Sequence, residues 1–99
     1  MKFSILNRPE VRIDIINATD FYKSINPQLA KQFLFRLREA KTYIASSPLS
    51  FQIKYNGVRT LLLKQFPYHI HYLVEESKQQ IVILAVIHAY QNPSDYLLK

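Results

Sequence analysis

Apolar positions recur along the chain in two rhythms. Val11, Ile15, Ala18, Tyr22 and Ile25 follow one another at spacings of four and three, with Arg12, Asp14 and Lys23 off that stripe, which predicts an amphipathic helix. Pro9 stands near its first position, where a missing N–H costs nothing. Ser24-Ile25-Asn26-Pro27 ends this helix and opens a second, Asn26 as cap and Pro27 as first residue. Leu29, Phe33, Leu37, Ala40 and Ile44 stripe the second helix, which stops at Ser46-Ser47-Pro48. Neither stripe is satisfied alone, so the hairpin must cover another layer.

From Phe51 the rhythm changes to that of strands. Four β-type runs are separated by Asn56-Gly57, by Phe66-Pro67 and by Glu76 to Gln79. Asn-Gly between two such runs is the strongest local hairpin signal, because a type I′ turn needs positive φ at both residues. Tyr68, Ile70, Tyr72 and Val74 alternate with His69, His71, Leu73 and Glu75, which predicts two distinct faces. Ile81 to Ile87 is apolar on both faces and predicts an inner strand with helices behind it. A short extended run, Lys2 to Leu6, precedes the helices and is expected to join the sheet. The fold class is α+β: an N-terminal strand and a two-helix hairpin packed on one face of an antiparallel sheet. No linker or repeat divides residues 1–99, so one domain is expected.

Charge narrows the picture. The chain carries a net charge of +6, and between Ala40 and Val74 it has no acidic residue. That stretch contains Lys41, Lys54, Arg59, Lys64, His69 and His71, so an anionic partner is favoured. The absence of cysteine excludes disulfides and zinc–thiolate sites. No run approaches the roughly 20 apolar residues that span a bilayer, and the expected location is cytoplasmic. A single glycine excludes a glycine-rich phosphate loop. Three histidines, two of them on one strand face, are too few for a metal centre, so neither metal nor cofactor is expected.

What remains is a set of cationic and proton-transferring groups, Lys54, Arg59, Lys64, His88 and Tyr90. Attack of an RNA 2′-OH on the adjacent phosphate needs a base, an acid and cations for the developing charge, and these residue types supply all three. Structural roles account for the same residues singly. Lys54 and Lys64 are then solvated charges, Arg59 pairs with Glu75, and His88 closes the last strand.

The segments VRTLLLKQFPYHIHYLVEE and IVILAVIHAYQNP, following a helical hairpin, resemble the RelE/ParE superfamily of toxins from type II toxin–antitoxin modules. The resemblance implies a toxin held inactive by a cognate antitoxin. It implies either metal-independent cleavage of mRNA on the ribosome, the first expectation, or non-enzymatic inhibition of DNA gyrase, with an inactive relic as a further alternative. By position it matches Arg59, His88 and, more loosely, Tyr90 to family residues; joined to the cationic groups read from the sequence itself, the expected catalytic set is Arg59, Lys64, His88 and Tyr90, and the expected RNA contacts are Lys54, Arg59, Lys64 and His71. No arginine or lysine follows His88 before Pro93, where many relatives carry one or two, which thins the cation set for cleavage. The antitoxin is expected to be acidic and apolar, and to cover Arg59 and Lys64 or displace the tail around Tyr90.

Overall fold

A computed structural model describes residues 3–89. Among these, two helices, α1 (Pro9–Ile25) and α2 (Pro27–Ser46), follow a first strand β1 (Ser4–Asn7). Four strands come next: β2 (Ile53–Tyr55), β3 (Val58–Leu62), β4 (Tyr68–Glu75) and β5 (Gln80–His88). Asn26 alone joins the helices. Its extended backbone ends α1, its N–H donating to the Tyr22 carbonyl, and its Oδ1 accepts from the Gln28 N–H at 2.9 Å to start α2.

The sheet has the order β1-β5-β4-β3-β2. Strands β2 to β5 form the expected antiparallel meander, and β1 joins it parallel to β5, pairing Ser4 with Gln80 and Asn7 with Ile83. The sheet is therefore mixed, with β5 inside it. Asn56 and Gly57 both take positive φ, 44° and 76°, as the β2–β3 turn requires. Gln65 and Gln79 also adopt left-handed backbone, which nothing in their side-chain chemistry signals.

Both helices lie on one face. Val11, Ala18 and Tyr22 of α1 and Phe33, Leu37, Ala40 and Ile44 of α2 pack on Ile70, Tyr72, Ile81, Ile83 and Val86. An aromatic group sits at the centre, where the Phe66 ring centroid lies 4.8 Å from that of Tyr22 and 5.4 Å from that of Phe33. Two sequence expectations change here. Ile25, assigned to the α1 stripe, is 61% exposed, because the helix ends there and the stripe has run past the sheet. Asp14, placed off the stripe, accepts the Val86 N–H at 3.0 Å. β1 stops pairing at Ile83, so the N–H groups of β5 beyond it need another acceptor, and α1 supplies one.

Candidate functional site

The face of the sheet away from the helices carries His69 and His71. Thr60 pairs with His71 and Leu62 with His69 across β3 and β4, so these four share that face, while Arg59 and Tyr72, also directly paired, share the other. A shift in pairing between His71 and Tyr72 lets β4 keep its alternation while β5 accommodates one extra residue. The hairpin at Asn56-Gly57 folds β2 back so that the Tyr55 hydroxyl lies 2.9 Å from His71 Nδ1. The His69 and His71 rings meet edge to face, 6.0 Å apart.

These residues surround a depression of about 180 Å³, lined by Lys54, Tyr55, Thr60, His69 and His71, with Ile87, His88 and Ala89 completing it. None of the lining residues is acidic. His71 is 4% exposed, and burial first, then the neighbouring His69, pushes its pKa down to about 4. Burial and the nearby Lys54 ammonium also lower His69. Both imidazoles are thus neutral at physiological pH, beside one fixed positive charge.

The sequence-predicted set is divided by the fold. Lys54, His71 and His88 line this depression. His88 ends β5 opposite Tyr68, their ring centroids 5.2 Å apart. Arg59 does not join them and does not pair with Glu75. Its Nη1 donates to the Phe51 carbonyl at 2.6 Å and to the Leu49 carbonyl at 3.2 Å, on the helix side of the sheet. Beside it the buried Tyr72 hydroxyl donates to the Pro48 carbonyl at 2.7 Å, and burial raises that phenol to about 12 against the opposing pull of Arg59. Together they clamp the loop between α2 and β2. Lys64 extends over the Tyr43 ring of α2, 5.6 Å from its centroid, and is likewise away from the histidines. Tyr90 lies outside the described residues. Sequence reasoning passed over Tyr55 and Thr60, and named His69 among the basic residues without placing it in the site. The shared parity of His69 and His71 was legible, but the register that adds Tyr55 and Thr60 was not.

A second concavity lies along the start of α1, about 850 Å³ in volume and mostly apolar, its lining including Arg8, Arg12 and the exposed Ile13 and Ile16. Among the described residues no group of three or more His, Cys, Asp or Glu side chains is placed to hold a metal ion, and no helix is long and apolar enough to cross a membrane.

A basic α+β domain with a two-helix hairpin on a five-stranded mixed sheet is the architecture of RelE/ParE toxins. Residues 6–93 match the family described as the ParE toxin of the type II toxin–antitoxin system parDE, and the chain belongs to that family. No curated protein matches the sequence. Among solved structures, the chain is similar to one from the chromosomal ParDE toxin–antitoxin system of Pseudomonas aeruginosa, with a TM-score of 0.74 and 21% identity over 87% of this chain and 95% of that one. It is also similar to a chain of the RelBE2 toxin–antitoxin complex of Mycobacterium tuberculosis, with a TM-score of 0.58 and 15% identity over 89% and 99% of the two chains. The isolated RelE toxin of Escherichia coli gives a TM-score of 0.61 and 11% identity over 97% and 94%. At these identities the structural matches speak for the fold.

Proposed function

We propose that this toxin arrests growth as a non-enzymatic inhibitor of DNA gyrase, the ParE mode, rather than by cutting mRNA. One observation carries the choice. The cations needed to stabilise a pentacoordinate phosphate do not converge, since the Arg59 guanidinium is held by the Leu49 and Phe51 carbonyls and Lys64 by Tyr43. The match to the ParE family over residues 6–93 supports the same reading. Ribosome-dependent mRNA cleavage keeps a specific observation in its favour, the depression that groups Lys54, Tyr55, His69 and His71. Inducing the toxin in cells while following plasmid supercoiling and mRNA 5′ ends separates the two. Loss of negative supercoiling with intact messages supports gyrase inhibition, and new internal mRNA ends with unchanged supercoiling overturn it.

The partner that restrains the toxin is a cognate antitoxin whose acidic and apolar segment occupies the concavity along α1. Ile13 and Ile16 offer apolar anchors there and Arg8 and Arg12 also line it, within a chain of net charge +6. Such a complex forms with an on-rate that falls with added salt, because steering by exposed charge is screened.

A further inference from the structure

We propose that the outer face of α2 is the surface with which the toxin docks on its target, and that it takes an acidic patch of a protein with apolar residues at its centre. This rests on the reading of the toxin as a gyrase inhibitor and names the part of the chain that does the binding. The core takes Ala30, Phe33, Leu37, Ala40 and Ile44 from α2. With about 3.6 residues per turn, Phe35 stands opposite that stripe, where it is 52% exposed. Its ring is turned away from the sheet and meets the Arg36 guanidinium, 5.4 Å from its centroid. Phe35, Arg38, Glu39, Thr42 and Tyr43 line a hollow of about 370 Å³. Glu39 and the exposed Tyr43 continue this surface into a smaller hollow beside β3, where Leu62 and Lys64 join it. Exposed aromatic rings with arginine among them are what the buried centre of a protein interface is built from.

Charge selects the partner. α2 carries Lys31, Arg36, Arg38 and Lys41 against a single carboxylate, Glu39. Arg36 pairs with that carboxylate at 3.3 Å, and among the described residues Lys31 and Arg38 have no such partner. Spaced at four and three residues, Lys31, Phe35 and Arg38 lie along one line of the helix, with Lys64 at the border over the Tyr43 ring. The face therefore offers apolar anchors between positive charges, and a surface of the opposite sign complements it. A nucleic acid fits less well. The Glu39 carboxylate lines the hollow and repels phosphate, whereas a protein can set a hydrogen-bond donor against it.

The test measures binding of the purified toxin to immobilised gyrase by surface plasmon resonance, with supercoiling inhibition and thermal melts in parallel. Phe35→Ala is expected to weaken binding about thirtyfold, the scale of an aromatic at the centre of an interface. Arg38→Glu is expected to weaken it about tenfold or more, chiefly by slowing association, and Arg38→Lys should retain most of the affinity. All three should melt with the parent, since Phe35 and Arg38 are exposed. Phe21→Ala removes an equally exposed ring from α1 and should leave binding unchanged. A parent that binds and inhibits gyrase while Phe35→Ala or Arg38→Glu binds as tightly overturns the docking face and leaves gyrase inhibition standing. So does a loss in Phe21→Ala as large as that in Phe35→Ala. A parent that never binds gyrase removes gyrase inhibition and this face with it. Loss of plasmid binding by gel shift in the α2 variants, with gyrase binding unchanged, would assign the face to nucleic acid and equally overturn the proposal.

Discussion

Replacing Arg59 with alanine separates a structural arginine from a catalytic one. In the fold its guanidinium bonds to two carbonyls of the loop that connects α2 to β2, at 2.6 and 3.2 Å. Hydrogen bonds to a charged group contribute roughly 1.5–3 kcal/mol each. The Leu49 end is exposed to water, which can take over its carbonyl, so the variant should lose about 2 kcal/mol in all. For a domain of this size 1 kcal/mol moves the melting temperature by about 4–8 °C, so a fall of about 8–16 °C is expected. Thermal melts followed by circular dichroism give the stability, and growth after induction at 37 °C and 25 °C gives the activity. Toxicity should weaken at the higher temperature and recover at the lower one, and Arg59→Lys should lie between the parent and the alanine variant. An Arg59→Ala protein that melts with the parent yet is harmless at both temperatures would refute this reasoning and return Arg59 to the catalytic set.

Two other outcomes follow from the same geometry. Asp14→Ala leaves the Val86 N–H without its acceptor and should cost about 1–3 kcal/mol in urea unfolding, with Asp14→Asn costing less; an alanine variant as stable as the parent would remove α1 as the cap on β5. His71 titrates near 6.5 when unfolded and at about 4 when folded, so between those values the unfolded chain holds the extra proton. Its contribution is therefore complete above pH 6.5 and is lost as the pH falls toward 4. The full shift corresponds to ~3 kcal/mol, lost completely only once the pH is below both values. His71→Asn should flatten the pH dependence of unfolding in that window, and an unchanged slope would contradict the assignment.

Local chemistry made much of the fold legible. Asn56-Gly57 demanded its turn, Asn26-Pro27 demanded its break, and the stripes of Phe33, Leu37 and Ile44 and of Ile70 and Tyr72 named the core. Periodicity assigns residues to faces, but it does not say which face stays open or what a side chain meets there. Arg59 and Lys64 read as a cationic pair because strand position was visible and the acceptors were not. Those acceptors are loop carbonyls and the ring of a residue on α2, brought near by tertiary packing. Asp14 escaped for the same reason, since its partner lies 72 residues away and is unpaired only because β1 is short. The depression needed two registers at once, β2 on β3 and β3 on β4, and a break in regular pairing that no sequence rule locates.

Whether the toxin acts on gyrase directly is decided in a reaction containing only purified gyrase, relaxed plasmid, ATP and increasing toxin, with the same preparation added in parallel to a reconstituted translation reaction. The account predicts that supercoiling stops as toxin reaches parity with gyrase, while translated mRNA stays intact. Undisturbed supercoiling together with mRNA cut on the ribosome would contradict it.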